Sequence, residues 1–515
     1  MVSSTVKQIV IVGGGSAGWL VAGVLAAEHR AAAGGLQVTL IESPDIPPIG
    51  VGEGTWPTMR DTLRKIGVSE TDFIRQCDAS FKQGSRFNGW VDGRDDDYYF
   101  HPFVLPQGHG ETDLAAGWQE RHATVPFADL ASFQPHLCVH GRAPKQAATP
   151  EYAAVANYAY HLDAGKFGLF LRQHCIERLG VRFVPDHVVG VDTHDNGDIA
   201  ALHTREHGTL SGDLFVDCSG MQSLLLGKHY NVPFLSQKHV LFNDSALAVQ
   251  VPYPDDDSPI ASQTSSTAQS SGWIWDIGLP TRRGIGHVYS SAHTSDELAE
   301  RALRDYIRDT GGPPDIAAPR KLSFQPGYRQ QFWHRNCVAI GLSAGFIEPL
   351  EASALALVEL SASMLSDEMP ATRAAMDIVA RRFNETFTYR WERVIDFLKL
   401  HYVLSKRTDS AFWRDNRAAE SIPARLADSL TLWRHRPPSR YDLYRIEEVF
   451  PSASYQYILY GMGFRTEAGT RRADHADVAD QYFREAATLT GKMLEALPSN
   501  RELIAHIRRH GLQKI

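Results

Sequence analysis

The stretch QIVIVGGGSAGWLVAGVLAAEH, with LQVTLIES shortly after it, constrains this chain more than any other part of it. The apolar run reads as a buried strand, the small residues as a tight turn, the Ala-rich run as a helix, and the second apolar run, ending in Glu42, as the next strand. That is a βαβ unit. Its turn, Gly13-Gly14-Gly15-Ser16-Ala17-Gly18, satisfies G-x-G-x-x-G. In that pattern small residues let the backbone approach a pyrophosphate while the next helix offers its positive end. Glu42 is placed to accept hydrogen bonds from a ribose. Gly13, Gly15, Ser16, Ala17, Gly18 and Glu42 are therefore candidate cofactor contacts. A purely structural turn would not need the strand before it, the helix after it and the acid at the end of the next strand.

The motif alone does not separate FAD from NAD. No second strand-associated G-x-G-x-x-G occurs, so a separate nicotinamide-nucleotide domain is not indicated. Two other glycine-containing stretches, GVGEGTWP at 50–57 and NCVAIGLSAGFIEPLE at 336–351, read as loops wrapping one long cofactor. FAD, bound alone and reduced by electrons from elsewhere, fits this pattern.

The chain has 515 residues, enough for a large enzyme body, and its 43% apolar and 22% charged content is that of a globular protein. A net charge of −8 without a basic run argues against a nucleic-acid partner or a polybasic membrane patch. The five cysteines, Cys77, Cys138, Cys175, Cys218 and Cys337, form no C-x-x-C pair. They read as buried thiols of a reducing compartment, with no metal site. No signal-peptide core or membrane-length apolar run is seen, which places the chain in the cytoplasm as an expectation.

Along the chain, 56–90 reads as helical, with Ser69 as a cap, and an acidic loop DGRDDDYYF follows. A helix AGKFGLFLRQHCIERLG precedes short strands, with Asp195-Asn196-Gly197-Asp198 as a hairpin turn. Between 240 and 325, ALAVQVP, GWIWDIGLP and GIGHVYSSA predict an antiparallel sheet interrupted by a Ser/Thr/Gln-rich loop at 261–272. Helical patterns dominate from about 353. The expected fold is α/β: a Rossmann-like, flavin-monooxygenase-type FAD-binding fold with an antiparallel substrate-side sheet and a mostly helical carboxy-terminal part. Residues 1–355 are read as the FAD-binding core with the interleaved sheet, and 356–515 as helical cover over the substrate.

Taken together, GGGSAGW, VGEGTWP, SFKQGSRF at 80–87, DLFVDCSG, GWIWDIGLP, GHVYSS and GFIEPLEAS at 345–353 resemble the flavin-dependent tryptophan halogenase family, in that family's order, with a looser match in FLKLHY and RTDSAFW. The resemblance implies an enzyme that uses FADH2, oxygen and chloride or bromide to make hypohalous acid, which crosses an internal tunnel to a lysine beside an aromatic substrate. By SFKQG that lysine is Lys82, which taken alone reads as a solvated surface residue. In EPLEAS the matching acid is Glu351, implied to stabilise the attacked ring or accept its proton. Its plainer reading is an acid favoured at a helix start. Ser353 and Ala354 match the halide site, where backbone N–H groups hold the anion. The resemblance also implies cofactor contacts from Val189, Leu342 and Leu355. It puts His101 and Phe103 against the substrate ring, and Trp273 and Trp275 between cofactor and substrate, each of which reads equally well as core packing. Asp276 reads as a structural hydrogen-bonding group. The missing nicotinamide domain implies a separate NAD(P)H-dependent flavin reductase, and the sequence does not decide between monomer and homodimer.

Two departures bear on substrate and halide. Tryptophan-specific members of the family usually carry Ser-Thr-Gly after the glutamate, where this chain has Ala352-Ser353-Ala354, and this shifts the expectation toward bromide. In SASYQYILYGMG, Tyr455 stands where a tryptophan is expected, and no set of groups for an amino acid's ammonium and carboxylate is evident. Indole or another electron-rich aromatic without that head is therefore expected at least as much as free tryptophan. The rival readings are an FAD-dependent aromatic monooxygenase and a non-catalytic flavin-binding protein.

Overall fold

The computed structural model describes residues 5–29, 35–45, 52–445, 447–467 and 475–514. Gly50 and Val51 of the expected cofactor loop lie outside the described residues. The chain divides into two units, each assembled from three segments.

The first unit takes Met1–Asp78, Leu162–Gln237 and Gln325–Trp391. Its six-stranded sheet runs in the order Trp333–His334, Cys337–Ala339, Leu214–Asp217, Gln8–Val12, Gln37–Glu42, Arg182–Pro185. All pairings are parallel except the outermost, between Trp333–His334 and its neighbour. Strands covered on both faces need continuous apolar runs, and Ile9 to Val12 are all buried. The helix Ser16–Glu28 is buried from Gly18 to Ala26 and packs on the helices Ala164–Leu179 and Ser353–Asp367. A helix enclosed on all sides has no polar face to show, which accounts for its uniform Ala/Val/Leu composition. The strands Val188–Thr193 and Ile199–Thr204 form the hairpin expected from DNGD, with Gly197 at φ +83° in the turn.

The second unit takes Ala79–His161, Lys238–Phe324 and Glu392–Ile515. Its seven-stranded sheet runs Arg320–Ser323, Ser245–Pro252, Arg282–Tyr289, Gly272–Gly278, Thr264–Gln269, Gly84–Asn88, Tyr98–Pro102, antiparallel but for one pair. One face buries Leu247, Val249, Ile274 and Ile285 under Ala299, Leu303 and Ile307 of the helix Asp296–Asp309. Because side chains alternate along a strand, Trp273 and Trp275 occupy the opposite face from Ile274. Asp276, on the helix side, accepts from Arg283 Nε at 3.1 Å and from the Tyr306 hydroxyl at 3.1 Å, which is the structural role expected of it.

Two expectations need correction. The Ser/Thr/Gln-rich stretch is not a loop: Thr264–Gln269 is an interior strand, paired on both sides, whose alternate residues Thr264, Ser266 and Ala268 are buried. Small polar side chains fit between flanking strands where the backbone itself is fully paired, so the strand carries no apolar signature. The helical reading of 56–90 holds for Thr58–Lys65 and for Glu70–Gln76, where Ser69 accepts from the Asp72 N–H at 3.3 Å, but Ser80–Lys82 and Gly84–Asn88 are strands. All five cysteines are buried and unbridged, as expected.

Candidate active site

In the first unit the glycine turn is shaped by close approach. Gly13 has φ +111°, and a Cβ there would lie 2.1 Å from the Cys218 carbonyl oxygen; one on Gly18 would lie 1.9 Å from the Gly13 oxygen. Only glycine permits this packing of turn, strand and helix. A Cβ on Gly15 would meet nothing within 4 Å, and no side chain caps the helix that starts at Ser16. The first N–H groups around Ser16 and Ala17 thus border open space, as a pyrophosphate requires. A Cβ on Gly14 would run into the Glu42 carboxyl at 2.1 Å, so the glycine makes room for that acid. Burial raises the Glu42 carboxyl above its ordinary range, and its Oε2 accepts no hydrogen bond among the described residues. Arg172 Nη1 lies 3.9 Å from this oxygen, beyond hydrogen-bond distance, so the acceptor can still take a ribose hydroxyl. These features fit FAD.

Around this turn, a Cβ on Gly341 would lie 2.8 Å from the Ala17 Cβ, which brings the short helical turn Gly341–Ser343, with Leu342 in it, against the phosphate loop. Leu355 is buried in the first turns of Ser353–Asp367, while Val189 is exposed on its hairpin strand.

The turn leading into Ser353–Asp367 carries Glu351. Its side chain is buried and its carbonyl accepts the Trp56 indole N–H at 2.7 Å. The next residue, Ala352, is left-handed at φ +54°, and its N–H returns to the Pro349 carbonyl at 3.0 Å. No side chain caps the helix that follows, which leaves the N–H groups at Ser353 and Ala354 available to an anion at a helix amino terminus.

In the second unit, Lys82 ends the strand Ser80–Lys82, paired antiparallel with Ala159 to His161. It is only 1% exposed, unlike the solvated surface lysine it would be on its residue type alone. Its Nζ lies 5.5 Å from the Phe103 ring centroid, within cation–π range. Phe103 is held in turn by its N–H to Gln134 Oε1 at 2.8 Å and its carbonyl to Asn157 Nδ2 at 3.0 Å. The Lys82 strand is anchored by Gln83 N–H to the Ser262 carbonyl at 2.6 Å and by Asn500 Nδ2, which donates to the carbonyls of Phe81 at 3.2 Å and Ala261 at 3.3 Å. His161 is fully buried, with Nε2 2.9 Å from Thr264 Oγ1. Burial, and after it the Lys82 charge, push this imidazole well below its ordinary pKa, so it is neutral.

His101, on the strand Tyr98–Pro102, is buried with Nε2 2.9 Å from Ser454 Oγ. Its ring neighbours are Phe397 at 5.5 Å, Phe450 at 6.3 Å and Tyr457 at 6.4 Å, and Tyr455 packs edge-on against Phe397 at 4.9 Å. Trp273 and Trp275 share a face with ring centroids 6.4 Å apart, and Trp273 packs on Trp90 with centroids 6.5 Å apart. Trp275 lies over Gly286, where a Cβ would strike its ring at 2.1 Å. The second unit thus holds Lys82 with Phe103, His101 and the tryptophan pair; the first holds Glu351, Ser353 and Ala354. Asn500, Gln134, His161 and Trp56 escaped the sequence reading, because their partners lie far away along the chain.

A largely parallel sheet with a pyrophosphate turn and an acid at the end of the second strand defines a dinucleotide-binding enzyme fold. The tryptophan halogenase profile matches residues 8–478. The chain is 50% identical to a tryptophan halogenase from Shewanella frigidimarina, whose crystal structure it matches with a TM-score of 0.95 over 99% of each chain. It is 32% identical to the tryptophan 7-halogenase RebH of Lentzea aerocolonigenes, over 99% of this chain and 100% of that one. It is 31% identical to Xcc4156, a flavin-dependent halogenase from Xanthomonas campestris, with a TM-score of 0.86 over 99% of each. The chain belongs to the tryptophan halogenase family and is an FAD-dependent halogenating enzyme. Among the described residues no helix is long and apolar enough to cross a membrane.

Proposed function

We propose that this enzyme halogenates an electron-rich aromatic ring lacking an amino-acid head, with indole as the simplest candidate, using an oxidant held at Lys82. The observation that carries the reading is a lysine 1% exposed whose Nζ sits 5.5 Å from an aromatic ring centroid. Burying an ammonium is costly, and a solvated role would not require it. FAD, bound and reduced, supplies with oxygen the oxidising equivalent that turns halide into hypohalous acid. A protonated Lys82 holds that acid by hydrogen bonding. A neutral Lys82 amine instead takes the halogen from it, water leaving as the N–halogen bond forms. Either way the halogen reaches one ring carbon with its orientation fixed, and the ring gives up a proton in exchange. Glu351 is assigned the stabilisation of the cationic ring or the acceptance of that proton.

The N–H groups at Ser353 and Ala354 are assigned to the halide, and bromide is the proposed preference, being easier to oxidise. The reduced cofactor is proposed to come from a separate NAD(P)H-dependent reductase. The surroundings of His101, rings from Phe397, Phe450 and Tyr457 with the Ser454 hydroxyl, suit an aromatic body better than a zwitterion. Trp273 and Trp275 are proposed to limit the approach of the ring to the cofactor.

The test is mass spectrometry of reactions with FAD, a flavin reductase, NADH, oxygen, indole and equimolar chloride and bromide. The reading expects mainly brominated indole from the wild type and none from Lys82→Ala. Equal product from both proteins removes the lysine role, and equal use of both halides removes the bromide preference.

A further inference from the structure

We infer that Trp56 is a positioning residue for the turn carrying Glu351 and the start of the helix Ser353–Asp367, which it holds through its indole N–H. The inference rests on the reading of Glu351, Ser353 and Ala354 given above. Trp56 Nε1 donates to the Glu351 carbonyl at 2.7 Å, across 295 residues of sequence. The carbonyl it grips immediately precedes Ala352, a residue with a Cβ held at φ +54°, ψ 37°. Such a conformation persists where the surroundings over-determine it. Here two hydrogen bonds do so, the indole donor on one side and the Ala352 N–H to Pro349 on the other.

The same short segment grips the helix a second time. Thr58 and Thr62, on the helix that begins two residues after Trp56, donate to the Glu359 carboxyl at 3.4 and 2.6 Å. Residues 56 to 62 thus fix both the entry turn and the second turn of Ser353–Asp367. With no side-chain cap of its own, that helix aims its first N–H groups wherever the turn sets them. Losing the indole donor frees the turn to relax and re-aims both the N–H groups at Ser353 and Ala354 and the Glu351 carboxylate.

The test is Trp56→Phe, which keeps an aromatic ring and removes the donor, assayed as FAD-loaded enzyme with reductase, oxygen, bromide and indole. Loss of one such bond is expected to raise the KM for bromide about fivefold. The KM for indole, the affinity for FAD measured by flavin fluorescence, and the thermal midpoint are expected to stay near wild type. Ala352→Gly added to Trp56→Phe is expected to recover bromide KM, since glycine takes the left-handed turn without strain. An unchanged bromide KM, or a parallel worsening of both KM values with the midpoint, overturns the inference. Should Trp56→Phe fail to fold, Trp56→Leu is read the same way, and failure of both to bind FAD makes Trp56 merely structural. Glu351→Gln, run alongside, separates the two claims. If it keeps full turnover, the Glu351 reading falls while the bromide KM of Trp56→Phe still tests the positioning of the Ser353 and Ala354 N–H groups; if it is inactive while Trp56→Phe matches wild type, the Trp56 role alone falls.

Discussion

Glu359→Gln tests the electrostatics of the helix behind the site. Glu359 is 5% exposed and burial lifts its carboxyl from 4.5 to about 8, partly opposed by the hydrogen bonds from Thr62 and Thr58. An acid whose folded pKa is raised gives full stability below its unfolded value and loses it as pH climbs toward the folded one. Each unit is worth about 1.4 kcal/mol, so the folded wild type forfeits about 3 kcal/mol by pH 7 and about 5 above pH 8 relative to pH 4.5. Glutamine carries no such penalty. At low pH it should be the less stable protein by about 1–3 kcal/mol, because its amide N–H groups enter a site furnished with donors. At high pH the order should reverse. Thermal midpoints of both proteins from pH 5 to pH 9 check this: the variant-minus-wild-type difference should rise steadily and change sign. A difference constant across that range would refute the claim that Glu359 is protonated in the folded enzyme.

Other perturbations follow from close approaches and from anchors. Gly13→Ala places a Cβ against the Cys218 carbonyl at φ +111° and should abolish FAD retention, read from flavin absorbance of the purified protein. Gly286→Ala drives a Cβ to 2.1 Å from the Trp275 ring and 2.6 Å from the Leu247 oxygen. Such overpacking should cost about 1–3 kcal/mol, seen as a lower thermal midpoint, together with lost halogenation. Asn500→Ala strips donors from the carbonyls of Phe81 and Ala261 and should lower halogenation yield while FAD affinity holds.

What the sequence reveals of this enzyme is what local spacing encodes. The glycine turn, the Ser69 cap and the DNGD hairpin are each written in a few adjacent residues, and each stands where expected. The strand Thr264–Gln269 was illegible because its burial comes from backbone pairing on both sides, not from apolar side chains. Lys82 has a local sign of burial only in its neighbours Phe81, Gly84 and Phe87. Its strand is anchored by Asn500, 419 residues beyond Phe81, a contact no local spacing encodes, so the flanking aromatics single it out only together with the family resemblance. Trp56 has the same character, since nothing in GVGEGTWP points to a carbonyl 295 residues away.

The most direct test of the account is where the halogen goes when a small-molecule trap for free hypohalous acid competes with the aromatic substrate, in wild type and in Lys82→Met. An oxidant held at Lys82 predicts brominated indole and an untouched trap from the wild type, and the reverse from the variant. If the trap captures bromine equally from both proteins, the oxidant is free in solution and the role given to Lys82 is contradicted.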